Sequence, residues 1–137
     1  MTQENLDLFH EGTAAWNRGD YEVIVDMCHP DVEWSFSDRL PDATGEIRGK
    51  DAVRGFFERF TGDWAEISIR PERLADPGDE VVALVEFVAR GRDGIEASMH
   101  FVHVWTIRDG LIVRFRGFQT FEEALEAIGA GARPANG

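Results

Sequence analysis

The stretch from Glu80 to Gln119 constrains this chain more than any other part of it. Long apolar segments there are broken by Arg92-Asp93-Gly94 and Arg108-Asp109-Gly110, and Asp76-Pro77-Gly78-Asp79 comes just before. Asp-Gly and Pro-Gly clusters between alternating apolar runs are turn signals. They predict strands over about Trp64 to Leu74, Glu80 to Gly91, Ile95 to Ile107 and Leu111 to Gln119. Consecutive hairpins of this length make an antiparallel sheet with one apolar face, and that face needs a covering layer.

The first half of the chain supplies the cover. Leu6, Phe9, Thr13 and Trp16 recur along one side of a helix predicted from Gln3 to Arg18, which Gly19 stops. Asp20 is placed to cap a short second helix over Tyr21 to Cys28, closed by Pro30. Val32-Glu33-Trp34-Ser35-Phe36 alternates and reads as a short strand. Ser37 to Lys50 is rich in Asp, Pro and Gly and reads as a loop. A third helix, Asp51 to Phe60, turns Val53, Phe56, Phe57 and Phe60 to one side. After the sheet, Thr120-Phe121-Glu122-Glu123 has the form of a capping box opening a last helix that ends at Gly129. The pattern is one α+β domain over residues 1–129, with a flexible tail over 130–137.

Which side chains share a face depends on strand register, since a slip of one residue turns every side chain over. Reading each Arg-Asp-Gly as a three-residue loop pairs Ile107 with Leu111 and Gly91 with Ile95. Val81, Ala83, Val85, Phe87, Met99, Phe101, His103, Trp105, Val113, Phe115, Gly117 and Gln119 then share the concave face. Two-residue turns would put Glu86 beside Phe101 and Trp105, and an unpaired buried carboxylate is costly. The preferred face is apolar except for His103 and Gln119. The opposite face mixes Leu84, Val102, Val104, Ile112 and Phe118 with Glu86, His100, Arg114 and Arg116. That mixture predicts a homodimer through the outer sheet face around Val102, Val104 and Phe118, with His100 and Glu86 paired in the contact.

Composition removes several function classes. A formal charge of −12, from 26 acidic against 14 basic residues, repels phosphate backbones and anionic lipids, so neither nucleic acid nor membrane is an expected partner. Met1 to Glu11 lacks the basic and then apolar segments of a secretory leader. Cys28 is the only cysteine, which excludes an intrachain disulfide and fits a reducing cytoplasm. His100 and His103 point to opposite faces of a strand, so they make no metal site, and no metal or cofactor is expected.

With these features in place, the chain resembles the nuclear transport factor 2-like superfamily, and within it the ketosteroid isomerase and SnoaL-like polyketide cyclase groups. The resemblance rests on Ala15-Trp16-Asn17-Arg18-Gly19-Asp20, His29-Pro30-Asp31-Val32-Glu33-Trp34, Ile47-Arg48-Gly49-Lys50-Asp51-Ala52-Val53, Val104-Trp105-Thr106-Ile107-Arg108-Asp109-Gly110-Leu111-Ile112 and Glu123-Ala124-Leu125-Glu126-Ala127-Ile128-Gly129. It implies a conical α+β barrel, with N-terminal helices on a curved, mainly antiparallel sheet enclosing an apolar pocket, and commonly a homodimer. The isomerase group's aspartate base falls at Trp34, its first-helix tyrosine near Gly12, and its second oxyanion donor at His103. Only the last position carries a group able to do acid or base chemistry. An epoxide hydrolase Asp-Arg-Asp arrangement is not matched, because Arg92-Asp93 and Arg108-Asp109 belong to turns.

The candidate site follows. A neutral His103 on an apolar face can take a proton from an acidic carbon or donate to a carbonyl, and Gln119 can orient it or bind substrate. Plain core packing, with His103 satisfied by Gln119 or a carbonyl, is the competing reading. Trp34, Phe87, Phe101, Trp105 and Phe115 form the candidate aromatic wall. Asp38 and Asp42 on the long loop are candidate acids at the cavity mouth. His10 and His29 read as surface or capping residues. The expected function is a cofactor-independent isomerase, cyclase or dehydratase acting on a small apolar metabolite that carries a carbonyl or ring. The alternatives are a non-catalytic binder of a small hydrophobic molecule and a structural domain with a filled core.

Overall fold

The computed structural model describes residues 2–36, 46–62, 64–75 and 79–129. In chain order the elements are α1 (Thr2–Asn17), α2 (Tyr21–Asp26), β1 (Cys28–Phe36), β2 (Ile47–Arg48), α3 (Lys50–Gly62), β3 (Trp64–Ala75), β4 (Glu80–Gly91), β5 (Glu96–Arg108), β6 (Leu111–Phe118) and α4 (Phe121–Ala127). The strands form one six-stranded sheet in the order β2-β1-β6-β5-β4-β3, curved and unclosed. Every pairing is antiparallel except β1 with β6, which is parallel. Helices α1 and α3 cover the concave face, whose core includes Phe9, Trp16, Val53, Phe57, Val81, Val85, Trp105 and Phe115.

The first Arg-Asp-Gly turn has the predicted form. Gly91 donates its N–H to the carbonyl of Ile95 at 2.7 Å, and Gly94 sits at φ 88°. The β4–β5 register then continues through Val85–Phe101 and Ala83–His103. At the second turn the register differs. Asp109 and Gly110 take φ 52° and 77°, the paired left-handed conformation of a two-residue hairpin turn. Arg108 therefore faces Leu111, not Ile107. Left alone, that one-residue change would turn β6 over. A register shift repairs it: Ile107 pairs with Ile112, Thr106 with Arg114, and Val113 is the extra residue. Phe115 and Gly117 thus keep the concave face, whereas Ile112 joins the core in place of Val113.

Other differences come from pairings distant in sequence. Cys28 pairs with Ile112 and the Met27 carbonyl accepts from the Ile112 N–H at 2.8 Å. The second helix therefore ends at Asp26, and the first strand starts four residues before Val32. Ile47 and Arg48, read as loop, pair with Trp34 and Glu33. Asp20 makes no side-chain cap. Its carboxylate lies 3.6 Å from the Arg18 guanidinium instead. The capping box at α4 does form. Thr120 Oγ1 accepts from the Glu123 N–H at 3.0 Å, and Glu123 reaches back to the N–H of Gln119 at 3.0 Å.

Helix α4 also occupies part of the outer face. Val82, Val102, Val104 and Ala124 are fully buried together, with Leu84, Phe118, Phe121, Leu125 and Ile128 around them. The apolar half of that face is thus covered by the chain's own C-terminal helix. On the charged half, His100 pairs with Glu72 at 3.1 Å, not with Glu86, which lies 3.4 Å from Arg70. Among the described residues, no helix is long and apolar enough to cross a membrane.

The end of α1 occupies part of the free edge of β3, at Ile67 and Ile69. Asn17 acts as a substitute strand: its Oδ1 accepts from the Ile69 N–H at 2.7 Å and its Nδ2 donates to the Ile69 carbonyl at 2.8 Å. Trp16 Nε1 donates to the Ile67 carbonyl at 3.2 Å, and Pro71 further along has no N–H to offer. These bonds tether α1 to the sheet and occupy backbone groups that an exposed edge offers to other strands. Asn17→Ala leaves both Ile69 groups unpartnered and is expected to lower stability by about 1–3 kcal/mol. Urea denaturation and the exchange rate of the Ile69 amide hydrogen check this. Unaltered values for both would show that the Asn17 bonds contribute nothing to holding α1.

Candidate functional site

His103 is the centre of the candidate site. It lies mid-strand on β5, opposite Ala83 of β4 and Gly117 of β6. Both neighbours are small, which leaves lateral room for the imidazole on the concave face. Phe115 stands 4.7 Å from it between ring centres, Phe87 5.7 Å and Phe101 6.5 Å. Among the described residues no hydrogen bond to its ring nitrogens is seen. The chain's only other buried polar side chains among those residues are Thr13 and Thr106, so no carboxylate shares this interior. Burial in that apolar shell pushes the imidazole down from 6.5 to about 3, and it is neutral at physiological pH.

The aromatic wall assembles as a continuous set of ring contacts. Trp34 stacks on Phe115 at 4.1 Å and 10°, and meets Phe57 edge-on at 5.4 Å. Phe87 meets Phe101 edge-on at 4.9 Å. All five aromatic residues expected at the site therefore lie on the concave face. Trp105 sits at its inner end, edge-on to Phe9 at 5.0 Å. Its indole fills the space where a first-helix side chain would project: a Cβ at Gly12 would come within 2.7 Å of Trp105 Cη2. The absence of a side chain at Gly12 and the presence of Trp105 are one packing solution.

Three members of the wall were not singled out as site residues in the sequence. Phe36 contacts Phe115 at 5.8 Å and Phe56 at 5.4 Å, Phe56 stacks on Phe60 at 5.6 Å, and Phe60 meets Phe87 at 6.0 Å. Phe36, Phe56, Phe60, Phe87 and Phe101 are only half-buried, unlike His103, Trp34, Trp105 and Phe115. They form a collar above the buried group. The i, i+4 spacing of Phe56 and Phe60 marks an apolar stripe but does not say what the stripe covers.

Gln119 and His103 are not brought into contact. Gln119 is exposed just past the end of β6, two residues beyond Gly117. Asp38 and Asp42 lie outside the described residues. His29 Nδ1 accepts from the Asp31 N–H at 2.9 Å, a local cap, and His10 is exposed against the edge of Phe9. Among the described residues no cluster of His, Cys, Asp or Glu is arranged to hold a metal ion.

An open surface cleft of about 670 Å³ lies elsewhere, between α1 and the β5–β6 turn, lined by Glu4, Asp7, Glu11, Asp79 and Arg108 among others. It is mostly charged and solvent-facing and holds no buried titratable group. The His103 interior is the stronger candidate because desolvation gives its one ionisable group an altered chemistry.

Comparison with known proteins places this architecture. A protein of the NTF2-like class from Burkholderia pseudomallei superposes with a TM-score of 0.75 at 26% identity, over 93% of this chain and 99% of that one. TerC, crystallised with polyporic acid, superposes with a TM-score of 0.75 at 25% identity, over 92% and 98%. A candidate SnoaL-like polyketide cyclase from Jannaschia sp. shares the fold at 16% identity, with a TM-score of 0.73 over 97% and 95%. No curated protein sequence matches the chain. The fold is that of the NTF2-like superfamily. Within it, the chain belongs to the SnoaL-like domain family, whose model matches residues 9–115.

The buried imidazole predicts a specific acid sensitivity. In the unfolded chain a histidine titrates near 6.5, whereas folded His103 titrates at about 3. Between those values the folded state binds fewer protons. This contribution to stability is complete above about pH 6.5 and declines toward pH 3 by about 1.4 kcal/mol per unit. His103→Phe removes the titration, so its stability relative to the unaltered protein should improve steadily as the pH falls. Parallel denaturant curves from pH 7 to 4 measure the difference, and a pH-independent difference would mean His103 is not desolvated in solution.

Proposed function

We propose that this protein is a cofactor-independent enzyme of the isomerase, cyclase or dehydratase type, acting on a small apolar metabolite that bears a carbonyl or ring. The observation that carries the reading is His103: neutral, desolvated, without a hydrogen-bond partner among the described residues, and walled by Phe87, Phe101 and Phe115. Alone in this shell the imidazole is a weak base. A substrate changes that, because negative charge developing on an adjacent enol oxygen stabilises the imidazolium through a low-dielectric Coulomb interaction. Proton uptake by His103 is thereby coupled to formation of the enolate, and the same proton can be returned at another carbon. Gln119, just past the end of β6, is the proposed contact for a polar end of the substrate. Phe36, Phe56 and Phe60 complete the apolar enclosure that keeps water from the intermediate. The similar protein TerC has been co-crystallised with polyporic acid, a small molecule, which supports a small-molecule role for this chain.

One observation favours a second reading, a non-catalytic carrier or sensor of a small hydrophobic molecule. No carboxylate is buried among the described residues, and the family resemblance sets Trp34 where the isomerases have their aspartate. A homodimer through the outer sheet face also belongs to the proposal, although the patch expected to carry it, Val102, Val104 and Phe118, packs with α4 of the same chain. Equilibrium sedimentation that finds only monomer would remove it.

His103→Gln separates the two readings. The variant keeps a polar group of similar size but cannot transfer a proton at neutral pH. For an enzyme, kcat should fall on the order of a hundredfold or more with KM little altered. For a binder, affinity should fall by roughly one hydrogen bond, about 1 kcal/mol, with no turnover in either form. Full turnover in the variant would exclude His103 as the acid–base group.

A further inference from the structure

Strand β5 extends past one of its neighbours. It pairs with β4 along its length, from Glu96 opposite Arg90 to Thr106 opposite Glu80. Strand β6 joins it only from Val102, opposite Phe118, after which the chain leaves the sheet for α4. Among the described residues, nothing pairs with the β6-side edge of β5 from Glu96 to Phe101. The phase of the ladder tells which backbone groups that edge presents. Gly91 donates its N–H to the Ile95 carbonyl, so every second residue of β5 counted from Ile95 turns its N–H and C=O toward β4. Glu96, Ser98 and His100 turn theirs the other way, into the open edge.

The same stretch carries uncovered apolar side chains. Ile95 is 67% exposed and Met99 40%, and they are the exposed large apolar residues among those described. Ala97 lies opposite Ala89 and Met99 opposite Phe87, both of which pack against the inner core. Ile95, Ala97 and Met99 therefore continue the inner face as an open ledge. An unpaired strand edge beside such a ledge is a template for another strand.

We propose that a second copy of this chain docks at this edge, β5 against β5 and antiparallel, with the two-fold axis at Ser98. Self-complementarity, which a two-fold contact requires, selects this occupant. In that register Ser98 faces Ser98 of the second copy, and Glu96 of each copy faces His100 of the other. Each of these pairs exchanges two N–H···O bonds, so every open backbone group on both edges gains a partner. Between them Ala97 faces Met99 and Ile95 faces Phe101, which covers both exposed apolar side chains. A carboxylate opposite an imidazole is a favourable cross-strand pair, and no like charges meet. Moving the axis to Ala97 sets His100 against the turn at Gly94. Moving it to Met99 sets Glu96 against Val102, whose edge β6 already occupies. The contact runs along a strand edge and is independent of a homodimer through the outer face around Val102, Val104 and Phe118.

Analytical ultracentrifugation over a concentration series tests it. The mass should double as concentration rises, starting from whichever unit is present when dilute. Ser98→Pro removes an N–H that the β4 ladder does not use and puts a ring in the docking path. It should raise the dissociation constant of that doubling on the order of tenfold or more, with the circular dichroism of the fold retained. Ser98→Cys should link two copies on mild oxidation, because residues paired across the axis have Cα atoms about 5.5 Å apart. Glu96→Cys should not, because its counterpart lies four residues further along, about 14 Å away. The native Cys28 is buried and leaves the unaltered protein as the uncrosslinked control. No doubling, a doubling that Ser98→Pro leaves unchanged, or equal cross-linking of the two cysteine variants would each overturn the assignment. A doubling that survives Ser98→Pro would belong to the outer face instead. Should Ser98→Pro fail to fold, the two cysteine variants decide the matter.

Discussion

The arrangement of the interior depends on how β6 lies against β5. Asp109 and Gly110 form a tight turn that on its own would turn the inner face of β6 outward. The extra residue Val113 restores it before Phe115. If the strand continued without that shift, Phe115 and Gly117 would exchange places with Arg114 and Arg116. Two guanidinium groups would then sit against Trp34 and His103. Charge without compensation in such a place is strongly unfavourable, so the bulge and the apolar pattern enforce one another. In the observed register Arg116 stays on the outer side, where Glu80 meets it at 2.9 Å.

With that register, the concave face combines efficient packing with deliberate incompleteness. Stacked and edge-on rings run from Trp34 through Phe115 and His103 to Phe87, and small partners at Ala83 and Gly117 leave the imidazole its place. Yet two indole nitrogens within this ring system lack acceptors. An uncompensated donor costs about 1–3 kcal/mol, and the net stability of a domain is about 5–15 kcal/mol. A fold retains such groups most readily where something other than the core itself requires them.

The outer face has a different solution. Its apolar residues on β4, β5 and β6 are closed by α4 from the same chain, and the remaining strip is laced by polar side-chain pairs such as His100–Glu72 and Arg70–Glu86. Pairs of this kind contribute little to stability. They keep an open sheet surface polar, as Asn17 keeps part of the β3 edge occupied.

Much of this was legible in the sequence because its causes are local. Turn chemistry at Asp93-Gly94 fixes the β4–β5 register, period-two alternation separates the faces of β4 and β5, and the Thr120–Glu123 box starts α4. Those patterns sufficed to put His103 among aromatic residues on the inner face. What they left open depends on partners far away in the chain. The parallel contact of β1 with β6 sets where β1 begins, the bulge at Val113 selects Ile112 for the core, and α4 folds back over Val102 and Val104. Gln119 falls past the strand end because α4 starts at once, and Trp105 fills the space above Gly12 because α1 crosses there. Sequence periodicity reports which residues avoid water, since that is a property of each side chain. Only the tertiary structure decides which of them meet, and which buried donors are left without an acceptor, because both depend on pairings between segments that no local pattern encodes.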